Sequence, residues 1–403
     1  MERIWTTDLA GQVGERVLLA GWLHRLRRVG GLGFLLLRDG RGIAQAVAEE
    51  QALLEQLDRL HPESVLRVEG IVVAEPQAPG GLELREPAVE VLSQSASPLP
   101  FDLFRPAIKA QLPTLLDHAA LALRHPRRRA LFRLTAAAVE GFRETLRGLS
   151  FTEIQTPKIV GAATESGANV FALDCSGRPA YLAQSPQLYK QIMVGAFERV
   201  FEVGPVFRAE PHDAARHLSE YVSLDAEMGF IEDHRDVMAV VTEAVSGMLG
   251  GIREQAAETT RLLEIALPDV PRPTSAGWAS GREASTAASS SSSRATLCRN
   301  APSTPILSRA TGATPTASTC SSGGLELVTG GERLHRYADY LRSLEERGLS
   351  AEPLAGYLEA VRHGMPPHGG FALGLERFFM QLAGLANVRE ATLFPRDQQR
   401  LAP

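Results

Sequence analysis

Arginines stand in this chain where they could grip a run of phosphates. Phe207-Arg208-Ala209-Glu210 closes an apolar stretch (Val200, Phe201, Val203, Val206), and Arg216-His217-Leu218 and Asp225-Ala226-Glu227 follow. The pattern reads as a hairpin whose tip carries cations. Far downstream, Gly369 to Gly374 reads as a strand of small and apolar residues and Leu375 to Leu382 as a helix start. Gly374-Leu375-Glu376-Arg377 then sets an arginine at a positively polarised helix N-terminus. Two guanidiniums at separate points fix a triphosphate through paired hydrogen bonds, which a mobile lysine does less well. Either arginine alone reads equally well as a surface salt-bridge partner. Together with the segments below they point to a nucleoside triphosphate.

Polar side chains are packed beside apolar ones in Thr164-Glu165-Ser166-Gly167-Ala168 and from Gln184 to Gln191, the composition of a small-molecule pocket. The run Gly324 to His335 adds a carboxylate (Glu326), a hydroxyl (Thr329) and Arg333. Lys190, one of only three lysines with Lys109 and Lys158, joins Arg333 as a cation pair suited to a substrate carboxylate. Glu326 and Thr329 offer the hard oxygens that magnesium prefers.

These groups need elements to hold them. From residue 1 to 100, short apolar runs (Val17–Trp22, Phe34–Leu37, Ile43–Val47, Val65–Val73, Leu82–Leu92) alternate with glycine-rich turns, predicting a five-stranded β-barrel of the oligonucleotide-binding type. Phe34 could stack a base and Gln45 could read its edge, although alternation alone equally allows Phe34 as barrel core. A proline-bearing connector spans 101–126, and a helix is expected from Arg127 to Leu149, with Leu131, Leu134, Ala138, Phe142, Leu146 and Leu149 as its apolar stripe. A strand ending at Thr156-Pro157 reads as an edge, suited to a dimer interface. The later strands and helices do not alternate as βαβ units, so the fold class is α+β, an antiparallel sheet flanked by helices over 127–403.

A chain of 403 residues with 44% hydrophobic content can bury two or three cores. A net charge of -5 excludes a generally basic surface, so a polyanionic partner must meet local patches such as Arg25, Arg27 and Arg28, or Arg124 and Arg127 to Arg129. The sequence has no long apolar run, Met1 to Trp5 lacks a signal-peptide pattern, and Cys175, Cys298 and Cys320 have neither disulfide nor metal spacing, so a soluble cytoplasmic protein without membrane partners is expected.

Taken together these segments resemble a class II aminoacyl-tRNA synthetase, specifically the aspartyl kind with the compact, archaeal-like architecture. The helix leading to Thr156-Pro157 resembles the first class motif, Phe207 to Glu227 the second and Gly374 to Arg377 the third. Gln184 to Gln191 and Gly364-Met365-Pro366-Pro367-His368-Gly369-Gly370 are similar to aspartate-specific signatures. The resemblance implies an N-terminal anticodon-binding barrel with Arg25, Phe34 and Gln45 on the RNA, a homodimer, and ATP with Mg2+ as cofactors. It implies Arg208 on the α-phosphate and the attacking carboxylate, and Arg377 on the γ-phosphate. Glu210 and His217 fall at the adenine end, with Arg216, Leu218, Gly374, Leu375 and Glu376 completing the ATP site. Glu326 and Thr329 are implied for the metal. Lys190 and Arg333 are implied as a clamp on the L-aspartate side chain, beside Arg208 and Thr329, with Glu165, Ser185 and Gln187 around its amino group and backbone. Ser166 stands where the family usually has glycine. The acceptor is tRNA(Asp) alone or tRNA(Asn) as well, and the compact architecture leans to both. Two alternatives stay open, an asparaginyl-tRNA synthetase and a catalytically silent RNA-binding paralogue.

One block breaks the pattern. Arg272 to Gly324 holds 13 serines, 8 threonines and 10 alanines but one acidic residue, Glu283. Composition alone suggests a flexible linker. The family has R-P-F-Y and F-D-L-L-F-R-G segments here. Read from the third base of each codon, Ala317 to Gly324 permits F-D-L-L-F-R-G and Asn300 to Thr304 permits R-P-F-Y. Both fall in one frame, as expected of an out-of-frame translation over 272–324.

Overall fold

In the N-terminal strands every second residue is apolar, and such strands must bury one common face. The computed structural model describes residues 1–161, 170–210, 214–269, 298–300, 317–322 and 325–402. The chain divides into two compact units, Met1–Leu115 and Leu116–Pro403. In the first, β1 (Arg16–Val29), β2 (Leu32–Arg38), β3 (Ile43–Ala48), β4 (Val65–Ala74) and β5 (Leu82–Ser93) close a barrel in the order β1-β2-β3-β5-β4. Leu19, Leu23, Leu35, Leu37, Val68 and Leu84 fill it, and Leu54 and Leu57 of α1 (Gln51–Asp58) join that core. A buried Arg38 guanidinium donates to both oxygens of Glu63 at 2.8 and 2.7 Å. Removing either partner would strand a buried charge.

The second unit opens with the short helices α2 (Leu112–Asp117), which straddles the division, and α3 (Ala119–Ala122), followed by α4 (Pro126–Gly148). Pro126 occupies the first turn of α4, where its missing N–H is not needed. After α4 come β6 (Thr152–Glu153), β7 (Ile159–Val160), β8 (Ala172–Cys175), β9 (Arg178–Leu182), α5 (Gln187–Phe197), β10 (Arg199–Phe207) and β11 (Glu220–Gly229). Then follow α6 (His234–Gln255), α7 (Ala257–Leu263), β12 (Cys298–Asn300), β13 (Ala317–Ser322), β14 (Leu325–Glu332), α8 (Tyr337–Glu346), α9 (Ala355–Arg362), β15 (His368–Gly374) and α10 (Leu375–Leu382).

One sheet runs β12-β13-β14-β15-β11-β10-β6 and is antiparallel except where β6 pairs parallel with β10. The strand expected to end at Thr156-Pro157 is shorter, Thr152–Glu153, because the Thr156 N–H is taken by the Glu202 side chain at 3.2 Å instead of by a ladder partner. It does lie at the sheet's edge. Leu131, Leu134, Ala138, Phe142 and Leu146 of α4 are buried in one cluster with Val241, Met248 and Ile252 of α6 and with Phe201, Leu224 and Phe371 of the sheet. The two helices meet at glycines. A Cβ at Gly251 would lie 2.5 Å from the Ala137 carbonyl oxygen, and one at Gly141 would overlap the carbonyl of Gly247. Glu165, Ser166 and most of 272–324 lie outside the described residues.

Candidate active site

Strand β11 organises the site through its alternation. Leu224, Ala226 and Met228 point into the helix-covered core. The residues between them, Tyr221, Ser223, Asp225 and Glu227, line the opposite face at a spacing of about 6.8 Å. Cations of other elements dock on them in turn. The Arg208 guanidinium lies over the Tyr221 ring at 5.9 Å, and Lys190 Nζ of α5 donates to Asp225 Oδ1 at 2.9 Å. Glu227 is contacted by Lys190 Nζ at 3.3 Å and, from just after β14, by Arg333 Nε at 3.0 Å.

The lower end of this column is a buried quartet of two cations and two carboxylates. Lys190, Asp225 and Glu227 have side-chain exposures of 1%, 2% and 0%, whereas Arg333 keeps 20%. Lys190 is fully taken up, donating also to the Phe371 carbonyl at 3.0 Å, so Arg333 is the cation with an accessible edge. Its Nη2 reaches the Gly370 carbonyl at 3.3 Å and Gln187 Oε1 at 3.5 Å. Burial alone would lift the Glu227 carboxyl, but Arg333 and Lys190 beside it hold it below the ordinary carboxylate value. Gly370 makes the arrangement possible, because a Cβ there would overlap the Ala226 carbonyl and Glu227 Oε2.

The upper end gathers the arginines assigned to phosphate. Phe207 pairs with Glu220, and Ser223 with Gly374, so β10, β11 and β15 bring Arg208, Tyr221 and Gly374 to one end of the sheet. Arg377 sits in the first turn of α10 and its Nε donates to the Arg216 carbonyl at 3.3 Å, linking the two arginine segments. Arg216 is exposed, His217 half-buried and Leu218 buried; Glu210 is half-buried, with its carbonyl accepting from Gln398 Nε2 at 2.6 Å. Leu375 is buried, and the carboxylate of Glu376 turns inward onto the Val222 N–H at 3.1 and 3.2 Å. Ser185 accepts the Gln187 N–H at 3.3 Å at the start of α5. Glu326 and Thr329 are both exposed, with Thr329 Oγ1 donating to Glu326 Oε1 at 2.5 Å. Their oxygens therefore lie together, and their hard-donor chemistry is of the kind a divalent cation would take. Among the described residues, three or more His, Cys, Asp or Glu side chains nowhere gather to hold a metal.

Sequence reasoning gave Asp225 and Glu227 no role of their own. The signal was present, since two carboxylates alternate with Leu224, Ala226 and Met228 in one strand. It also missed a buried polar cluster behind the quartet. Gln191 Oε1 takes Tyr357 Oη at 2.5 Å, Tyr340 Oη at 3.4 Å and His368 Nε2 at 3.3 Å. Burial pushes the Tyr340 phenol up to about 12 and holds the His368 imidazole below its ordinary value.

On the barrel, Phe34 is half-buried on the outer face, between the core residues Gly33 and Leu35, and the Arg27 guanidinium covers it at 5.7 Å. Arg25 pairs across β1 and β2 with Leu36, which in turn pairs with Gln45 of β3; Gln45 Nε2 donates to Glu83 Oε2 at 2.8 Å. These side chains thus share one external patch. No helix among the described residues is long and apolar enough to cross a membrane.

The sequence profile of tRNA synthetases class II (D, K and N) matches residues 111–282 and 313–398, and that of an OB-fold nucleic acid binding domain matches 17–92. The Aspartate--tRNA(Asp/Asn) ligase of Thermus thermophilus is 42% identical, with 100% of both chains covered. Its namesake from Methanopyrus kandleri is 41% identical over 97% of this chain and 96% of its own. Among solved structures, asparaginyl-tRNA synthetase from Pyrococcus horikoshii complexed with asparaginyl-adenylate superposes with a TM-score of 0.88 at 28% identity, covering 100% of each chain.

Proposed function

The chain belongs to the class II tRNA synthetases (D, K and N), and from that premise we propose that it is an aspartate–tRNA ligase of relaxed tRNA specificity. It activates L-aspartate with ATP and passes the aspartyl group to tRNA(Asp) and tRNA(Asn). The observation that carries this reading is Arg333, the cation of the buried quartet that keeps an accessible edge, held on Glu227 and reaching Gln187. A side-chain carboxylate pairs with that guanidinium edge, which gains less from a neutral amide.

Activation is in-line attack of the aspartate α-carboxylate on the α-phosphorus. An O–P bond forms as the bond to the bridging oxygen of pyrophosphate breaks. No proton moves in this step, so the protein's work is positioning and charge neutralisation. Arg208 holds the α-phosphate and the incoming carboxylate, Arg377 the γ-phosphate, and Glu210 and His217 the adenine. Gln187, beside Arg333, and Ser185 orient the amino acid's backbone. Glu326 and Thr329 hold Mg2+, which when bound neutralises polyphosphate charge. A terminal hydroxyl of tRNA then attacks the carbonyl of the mixed anhydride and releases AMP. Arg25, Phe34 and Gln45 meet the anticodon on the barrel's outer face, where an aromatic ring beside arginines suits an unstacked base. The edge at β6, with Ile159 56% exposed nearby, is the face for a second copy in a cytoplasmic homodimer.

Residues 272–324 we read as an out-of-frame stretch. The synthetase match covers 111–282 and 313–398 and so breaks over 283–312, inside that block. Resequencing the gene there and weighing the protein decide the point. An intact present frame with a mass to match refutes it. Aspartate-dependent exchange of pyrophosphate into ATP tests the activity, on the chain as read and on its frame-restored form. Exchange driven equally by asparagine, or absent from both forms, overturns the assignment.

A further inference from the structure

The β11–β15 ladder ends at the pair Ser223–Gly374, after which β15 turns into α10. One residue further along β11, the Val222 N–H has lost its neighbouring strand. Glu376 supplies the missing rung with both carboxylate oxygens, at 3.1 and 3.2 Å, from a position only 6% exposed. The residue before Val222 is Tyr221, which underlies Arg208; the residue after Glu376 is Arg377. We propose that Glu376 is a positioning residue for the triphosphate, its carboxylate bolting the strand under Arg208 to the helix that presents Arg377. This rests on the reading above only in taking those two arginines as phosphate contacts.

The charge of that bolt matters as much as its geometry. The charged and titratable residues of the surrounding elements are Glu220, Asp225 and Glu227 on β11, His368 on β15, Glu326 and Glu332 on β14, and Arg377 on α10 itself, with Asp225 and Glu227 taken up by Lys190 and Arg333. In the adjoining turn Val388–Ala391, Arg389 is paired with Asp397 and Glu390 lies 4.0 Å from Arg128. The partners of the Glu376 carboxylate are backbone N–H groups. Burial lifts its pKa to about 7, against the pull of its own N–H and that of Val222, with Glu220 adding to the rise. As a neutral acid it leaves the arginines free for phosphate. As an anion it adds negative charge one residue from Arg377.

Binding of ATP at saturating magnesium, and separately of L-aspartate, to the full chain by calorimetry on both sides of neutrality tests this. Wild type should bind ATP more weakly as the pH rises through about 7. Glu376→Gln, which keeps an acceptor and cannot ionise, should keep the affinity and flatten the profile. Glu376→Ala should weaken ATP roughly tenfold while leaving aspartate unchanged. Equal ATP binding by Glu376→Ala, or a wild-type profile that persists in Glu376→Gln, overturns the proposal. If Glu376→Ala does not fold, the Glu376→Gln profile decides. A wild type that binds ATP but no aspartate, with these variants behaving as expected, overturns the enzyme reading and upholds this one; a wild type that binds no ATP overturns both.

Discussion

Replacing Lys190 by Met separates what holds the pocket together from what recognises substrate. Lys190 has 1% exposure and neutralises Asp225 at 2.9 Å and Glu227 at 3.3 Å. Met fills a similar volume, so the change removes a charge with little cavity. Two buried carboxylates then share Arg333 alone, and breaking a buried ion pair in this way costs about 3–5 kcal/mol. For a unit of this size the melting temperature should fall by on the order of 10 °C. Adding Asp225→Asn restores neutrality, with Glu227 and Arg333 still paired, so the double variant should regain most of that loss. Aspartate recognition should not return, because Lys190 no longer helps to fix Glu227, the carboxylate that holds Arg333. Denaturant unfolding of wild type, both single variants and the double variant closes a thermodynamic cycle. Thermal shift with L-aspartate against L-asparagine reads recognition. Full aspartate response in the double variant would refute the role given to Lys190, and unchanged stability in Lys190→Met would refute the buried quartet.

Gly370→Ala should abolish the aspartate thermal shift and destabilise the fold by about 1–3 kcal/mol or more, since its Cβ overlaps Glu227 and the Ala226 carbonyl. Gly250→Ala in α6, where a Cβ meets nothing within 4 Å, should instead stabilise by roughly 0.5–1 kcal/mol, read in the same melts. The folded pKa of Glu227 lies below its unfolded value of 4.5, so its contribution is present above that pH and lost as pH falls through the folded value. Glu227→Gln should therefore flatten the acid limb of the stability profile measured by urea unfolding, while lowering stability near neutrality. Phe34→Ala should weaken tRNA binding by about 1–3 kcal/mol in filter binding and leave pyrophosphate exchange untouched.

Much of this architecture is legible in the sequence because local pattern and final environment agree. The alternation of Val17 to Leu23 and Leu35 to Leu37 survives as the barrel interior, and the stripe from Leu131 to Leu146 survives as the buried side of α4. Arg208 and Arg377, each alone open to a salt-bridge reading, are singled out in the sequence only by their combination, and the Arg377–Arg216 contact links their two segments. The quartet is harder to read. Lys190 and Arg333 look like two free cations in a string of letters, and only the pairings Glu227–Gly370 and Gly370–Gly331 bring their carboxylates beneath them. The short β6 is equally invisible, since a distant side chain, Glu202, takes the N–H that would have continued it. Alternation alone leaves Phe34 undecided between interior and exterior, and its half-buried place between the buried Gly33 and Leu35 puts it on the outer face.

Because chemistry and core share β11 on alternate residues, that strand can tolerate replacement but not a change in length. One residue inserted or lost within Glu220–Gly229 would swap its two sides, sending Asp225 and Glu227 among the helices and Leu224 and Ala226 toward solvent. The far rim, β12 and β13, is held to no such parity by the column of cations. Change in β12 and β13 therefore touches the border of the sheet and leaves the alternation of β11 as it is.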